Sequence, residues 1–512
     1  MSQVAQSHQG SYKAGSVSGV EVLAQSVSNI APSAVVGAVI ALVVATSGSA
    51  SWVTWCVGGA VLLLIGLALT NITGRFGSAG GLYALATRVG GHTFGYFAAW
   101  MAAIAYLGGV VAVTFQISEF ATGFFNLPAI GFPYTPATTF LIAFVGLALA
   151  AGCSYTNARV STRTMLITES LSMLAITVLM IMVLATHHGS IVPSAEFNGV
   201  SISGITAAIP LVMFSFAGFE TCTAFAREAK NPKRMITASL LGSVVVVSVF
   251  FIICSYIIVL AFHGTHYDMA KSTNVLATVS DIVGASGYGY AVDVGVILSM
   301  FAVIVALMNT SSRFLRTLAA EGALPRQLAH MHPTRGTPDA AIGFVWVGTV
   351  IGIAIVAATQ SNVVDAFGNM GTLTGDGQGL LYILTGVAII FMFARGRTAV
   401  SRRWLGGLAI ATLASAALGY LLYKSFVPLP PNPTRVYVYV LFGIIAFAII
   451  LYAALLARRR GPLHVLGSST LEYAAVTPQS TDAQPTSIGD PANGGAATSD
   501  SDQHAQKPAA AP

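Results

Sequence analysis

Charge is scarce in this chain. Aspartate, glutamate, lysine and arginine make up 8% of its 512 residues, whereas soluble globular chains carry about 25%. That shortage excludes an ordinary soluble fold, which needs a charged surface. Cysteine is scarce too. The four, Cys56, Cys153, Cys222 and Cys254, form no CxxC pair and no metal-ligand spacing, so neither a disulfide framework nor a metal site is supported. They read as small packing residues, with Cys222 set apart only because it follows an unusual motif. No GxxxxGK[ST] pattern is present, so ATP-driven transport has no support. No HExxH, GxSxG or His/Asp cluster lies in the apolar blocks, so nothing points to a membrane-embedded enzyme. No cofactor is called for.

What is abundant is apolar sequence. Hydrophobic residues make up 55% of the chain and fall in long blocks of roughly the 20 residues needed to cross a bilayer. Hydropathy predicts an all-α polytopic membrane protein of about 12 spans. Their ranges are 19–46, 50–72, 93–122, 135–153, 163–186 and 202–228, then 235–262, 286–316, 340–359, 366–394, 403–424 and 434–457. The net charge of +6 reads as topology, not as a nucleic-acid footprint. Loops after even-numbered spans hold Arg75, Arg88, Arg159, Arg163, Lys230, Lys233, Arg234, Arg316, Arg326 and Arg335. They also hold Arg395, Arg397, Arg402 and Arg403, and Arg458 to Arg460 follow span 12, whereas the opposite loops hold only Lys271, Lys424 and Arg435. This asymmetry predicts a cytoplasmic (inner) membrane protein with both termini in the cytoplasm. No cleavable signal peptide is expected ahead of span 1. Residues 1–17 and 461–512 are polar and read as disordered cytoplasmic tails.

Two spans are interrupted. Span 1 carries "NIAPSAVVG" (Asn29 to Gly37) and span 6 carries "FAGFE" (Phe216 to Glu220). Pro32 lacks an N–H and clashes with the preceding turn, and Gly218 lets a ligand approach the backbone. Phe214, Phe216 and Phe219 crowd around the second break. Irregular backbone inside a membrane is tolerated only where it meets protein or a cavity. Broken helices at matching places in two halves point to an inverted-repeat transporter and its binding site. The alternative for span 1 is a simple proline kink. Glu220 falls near mid-membrane and reads as functional by default; the alternative is a structural carboxyl bonded to a neighbouring helix. "NPKR" (Asn231 to Arg234) reads as a helix stop anchored on the cytoplasmic side.

With "FSFAGFE" and "EAKNPKR" at span 6, the chain resembles the amino acid–polyamine–organocation superfamily of transporters. "NTSSRFLRTLAAEGALPRQL" (Asn309 to Leu328) is similar to the end of that superfamily's eighth helix. "GRFGSAGGLYALATRVGG" (Gly74 to Gly91) is similar to its helix 2–3 loop, with Phe76 and Gly77 departing slightly. The resemblance implies a leucine-transporter-type fold of 5+5 inverted repeats plus two C-terminal helices. That divides the chain into 18–200, 201–395 and 396–460 between the tails. It places the site among helices 1, 3, 6, 8 and 10. The substrate carboxylate would sit on backbone N–H groups around Ile30, Ala31, Pro32, Ser33 and Ala34, where a helix N-terminus favours an anion. The amino group would face carbonyls near Phe214, Phe216, Ala217 and Gly218. Phe214 falls where a related antiporter carries an aromatic gate, and Glu220 on its conformationally coupled glutamate. One departure stands out. The family's glycine-rich helix 1 motif is "APSA" here, which leaves open a substrate without a standard α-amino acid head.

Several further residues invite a role. Glu169 in span 5 lies roughly 9 Å inside Arg163 at about 1.5 Å per residue, and many relatives place a lysine on that helix. An intramembrane carboxyl suits proton carriage. With the hydroxyls of Thr310, Ser311 and Ser312 on span 8 it could instead hold Na⁺, or pair with a loop arginine. Asp376 in "GTLTGDGQG" and Asp293 in span 8 either line a pathway or mark a span edge. Tyr106 is a candidate substrate-facing hydroxyl or a packing residue. The His187-His188 pair is pH-sensing or simply solvated. The leading expectation is a secondary transporter of an amino acid or related amine, coupled to H⁺ in preference to Na⁺. It would act in the lipid bilayer as a monomer or homodimer with no nucleic-acid partner. An exchanger, a sodium-coupled symporter, and a channel or sensor are the alternatives.

Overall fold

A computed structural model of the protein describes residues 19–73, 81–125, 135–155, 158–186, 201–227, 231–269, 272, 274–359, 362–395 and 402–457. Both predicted tails, His187-His188, Lys230, Lys271 and the 74–80 part of the second family motif lie outside them. Among the described residues the chain is helical without strands, and twelve helical stretches are long and apolar enough to cross a membrane. They coincide with the predicted spans to within a few residues.

The helices are α1 (Gly19–Ile30), α2 (Pro32–Ser47), α3 (Ser51–Thr73), α4 (Gly81–Gly90), α5 (His92–Phe124), α6 (Pro136–Ser154) and α7 (Ala158–Thr186). Then come α8 (Ile202–Ser215), a 3-10 stretch (Phe219–Arg227), α9 (Pro232–Phe262), α10 (Val275–Ile282) and α11 (Ser286–Ala320). The chain closes with α12 (Asp339–Thr359), α13 (Val363–Ala394), α14 (Arg402–Phe426) and α15 (Thr434–Ala457). Their starts follow simple capping rules. Ser201 accepts from the Gly204 N–H at 2.9 Å and opens α8, and Asn362 accepts from the Val364 N–H at 2.9 Å and opens α13. Side-chain oxygens at these positions satisfy donors that have no intrahelical carbonyl. The same rule corrects one expectation. Asn231 caps α9 and Pro232 is its first residue, so "NPKR" starts a helix. Proline's missing N–H costs nothing there.

Two spans lie at the centre. α13 packs most extensively against α5, and also against α8. Close approach explains the glycines of "GTLTGDGQG". A Cβ on Gly375 would collide with the Pro210 carbonyl oxygen of α8, so only glycine lets the two backbones meet. α15 lies at the periphery, with 11% of its apolar window buried, against 67% for the first and third spans. Its exposed face carries Val436, Tyr439, Phe447 and Ile450, which a bilayer accepts and water does not.

Candidate functional site

The first span breaks at a single residue. Ala31 has φ 52°, and α2 restarts at Pro32. A left-handed alanine is strained by about 1–2 kcal/mol, so the surrounding packing must hold it. Gly37 does not extend the break. It lies within α2, where a Cβ would come 2.9 Å from Val296 Cγ1 on α11, so its role is helix packing.

The sixth span opens over Phe216 to Gly218, and Gly218 has φ 107°. The two breaks meet. Asn29 Nδ2 donates to Thr221 Oγ1 at 2.8 Å, and a Cβ on Gly218 would sit 2.9 Å from the Asn29 carbonyl oxygen. The end of α1 and the start of the 3-10 stretch are therefore one joined unit. The three phenylalanines of the motif turn to different neighbours. Phe214 stacks edge-on to Phe367 of α13, with centroids 6.1 Å apart. Phe216 packs on Phe251 and Trp55, and Phe219 on Tyr382.

A cavity lies between these breaks and α5, α11 and α13, enclosing about 550 Å³ of empty space with open solvent at its mouth included. Of the predicted binding residues, Ile30, Ala34, Phe214 and Ala217 line it. Ala31, Pro32, Ser33, Phe216 and Gly218 shape the breaks behind that wall. Tyr106 is not part of the lining; its ring packs edge-on to Phe314. Sequence reasoning missed Gln116 of α5 and Phe367, which do line it. A glutamine inside an apolar span is the signal that could have found the first.

Each break holds a buried carboxyl. Glu220 accepts from the Gly218 N–H, the Tyr382 hydroxyl and the Gln378 amide, each at 3.3 Å. It thus links the sixth-span break to α13. Glu169 of α7 accepts from the Ser33 N–H at 2.8 Å and from the Ser299 hydroxyl at 2.5 Å. It joins α7, α2 and α11 at one point. The predicted helix 8 hydroxyls are not its partners. Thr310, Ser311 and Ser312 lie 11 to 13 residues beyond Ser299 on α11, or roughly 16–20 Å along a helix rising about 1.5 Å per residue. The Ser312 hydroxyl donates to the Asn309 carbonyl.

The remaining acids fall inside the bundle. Asp376 is fully enclosed within α13, away from the span edge, with Oδ1 unpartnered. Asp293 accepts from Asn274 Nδ2 at 2.8 Å, tying α10 to α11. Two of the family-like motifs also meet. Tyr83 of α4 donates to Glu321 Oε2 at 2.6 Å and packs edge-on to Phe314, with centroids 5.8 Å apart. With Tyr106 they make an aromatic and hydrogen-bonded plug beside the central pair of helices.

The broken helices, the cavity between them and the meeting of these motifs agree with a wider comparison. Residues 24–455 match the family model described as amino acid permease. The chain belongs to the amino acid permease family. It is 24% identical over 200 residues to the branched-chain amino acid permease BcaP of Bacillus subtilis, covering 38% of this chain and 40% of that one. It is 24% identical over 311 residues to human cationic amino acid transporter 4, covering 57% and 48%. It is 23% identical over 321 residues to the aspartate-proton symporter of Bacillus subtilis, covering 61% of each. The matches thus span less than half the length of the first two relatives. Family and relatives alike are transporters, not enzymes. The resemblance to the amino acid–polyamine–organocation superfamily stands with this permease family.

Proposed function

We propose that this permease is a secondary active transporter that moves an amino acid or related amine by alternating access, driven by protons. The observation that carries the reading is a cavity framed by two helix breaks, each with a buried carboxyl at its edge. Segments 18–200 and 201–395 act as the inverted repeats, with α14 and α15 outside them, and both termini face the cytoplasm. The joined unit of Asn29 and Thr221 moves as one piece when the cavity changes sides. Glu169 is the coupling group. An ionised carboxyl only accepts hydrogen bonds, and a protonated one also donates. Its protonation therefore remakes the contact with Ser299 and alters how α7, α2 and α11 are held together. The aspartate-proton symporter among the relatives supports protons over sodium.

The test is uptake of labelled amino acids and amines into proteoliposomes under an imposed H⁺ or Na⁺ gradient. Accumulation should follow the H⁺ gradient. Glu169→Gln should abolish proton-driven accumulation and leave substrate counterflow, and Phe214→Ala should abolish both in a folded protein. Uptake that follows Na⁺ alone, or an unchanged pH profile in Glu169→Gln, would overturn the proton reading.

A further inference from the structure

The cavity wall carries no charge. Among the described residues, no aspartate, glutamate, lysine, arginine or histidine lines it. The buried acids of the two breaks are spent. Glu169 uses both oxygens, on the Ser33 N–H and the Ser299 hydroxyl. Glu220 uses both as well, on Gly218, Tyr382 and Gln378. Glu119 lies about one turn beyond Gln116 on α5, but it is 5% exposed and stands outside the wall. The helix breaks serve the head of a cargo. The carbonyl ends of α1 and α8 meet the cavity at Ile30 and Ser215, and such ends carry partial negative charge. Donors are present too, in the Ala34 N–H of the first turn of α2 and the side-chain amides of Asn29 and Gln116. An ammonium and a carboxylate both find partners there. Those groups are common to every α-amino acid, so the breaks do not choose among them.

The rest of the wall does choose. Val35 and Val39 lie one turn apart on α2, and Met300, Val303 and Leu307 follow one face of α11 at helical spacing. Each helix thus turns an aliphatic stripe to the same space, and Val113 of α5 joins them. Phe214 and Phe367, edge-on with centroids 6.1 Å apart, add ring surface. Away from the breaks, Gln116 is the single polar side chain among the described residues of the wall. Burying apolar surface against such a wall is favourable. Burying a charge there without a partner is costly. Under the transporter reading, alternating access closes the cavity over its cargo, so a side-chain charge cannot stay in bulk water throughout the cycle.

We propose that the cargo is an amino acid whose side chain is apolar and uncharged, of the leucine kind, held with that side chain against the stripes of α2 and α11. Acidic and basic amino acids are rejected because the wall holds no counter-charge for them. This inference rests on the transporter reading and narrows its substrate.

Isosteric comparisons test it: leucine with asparagine and aspartate, and norleucine with ornithine. Within each set the side chains share a shape and differ in polarity. The full-length protein is reconstituted in proteoliposomes, and counterflow of each labelled amino acid is followed at one neutral pH. Leucine should half-saturate at least about tenfold below asparagine and about a hundredfold below aspartate, and norleucine at least about a hundredfold below ornithine. Val303→Asp places a counter-charge in the wall and should bring ornithine at least about tenfold closer to norleucine. Val303→Thr keeps the shape of valine and serves where the carboxylate prevents folding. Its hydroxyl should narrow the gap between leucine and asparagine at least about threefold. If aspartate or ornithine moves as well as its apolar isostere, the inference fails and the transporter reading stands. If none of the amino acids moves, the inference fails, and the transporter reading falls with it only if amines are inert as well. If leucine is preferred but the folded Val303 variants leave every preference unchanged, the side chain does not rest on this wall and the inference fails.

Discussion

Gly218→Ala tests the junction of the two breaks most directly. Gly218 has φ 107°, a region that an L-residue occupies at a cost of about 1–2 kcal/mol. The new Cβ would also lie 2.9 Å from the Asn29 carbonyl oxygen and 3.2 Å from its carbon. Those are backbone atoms of another helix, not the end of a flexible side chain. Relieving such crowding costs about 1–3 kcal/mol. The sum, about 2–5 kcal/mol, corresponds to roughly a 30- to 5,000-fold shift away from the joined arrangement. The cheapest escape parts α1 from the 3-10 stretch and breaks the 2.8 Å bond from Asn29 to Thr221. Purified protein in detergent should therefore melt earlier, and proteoliposome uptake should fall at least about tenfold. Gly348→Ala is the matched control. Gly348 lies in α12 with nothing within 4 Å of its Cβ position, so alanine there should be neutral or slightly stabilising, by up to about 1 kcal/mol. If Gly218→Ala behaves like Gly348→Ala in both melting and uptake, the reasoning about the junction is wrong.

Two further outcomes are expected. Ser299→Ala removes the hydroxyl bonded to Glu169 and should lower proton-driven uptake, whereas Thr310→Ala, roughly 16 Å along the same helix, should not; equal effects in the same gradient assay would remove Ser299 from the proposed coupling site. Tyr83→Phe takes a 2.6 Å donor from buried Glu321, at a cost of about 1–3 kcal/mol. It should speed hydrogen exchange across 314–321, and unchanged exchange there would show that this bond does not hold the plug.

The spans and their breaks were legible because their causes are local. Twenty apolar residues in a row cross a bilayer whatever their neighbours are, and Pro32 and Gly218 mark the interruptions by their own backbone chemistry. "NPKR" was legible only as a boundary: Asn231 and Pro232 punctuate the chain equally well at an end or a beginning, and the hydrogen bond to Arg234 shows the beginning. Glu169 and Glu220 stood out because an intramembrane carboxyl is rare. Their partners did not. Ser33 and Glu169 are 136 residues apart, and Glu169 and Ser299 are 130 apart. Any hydroxyl on span 8 was an equal candidate until the rotation and depth of α11 were known.

The sequence by itself therefore determined a helical membrane protein of twelve spans, broken in the first and sixth, with one carboxyl, Glu220, beside the second break and another, Glu169, inside the fifth span. Hydropathy and backbone chemistry act along the chain, so they can be read along it. Only the tertiary structure decided what those carboxyls touch. The donors that a helix break exposes are a property of the first span alone. That Ser33 spends its donor on Glu169, and that Glu169 also meets Ser299, depends on how α2, α7 and α11 are turned against one another.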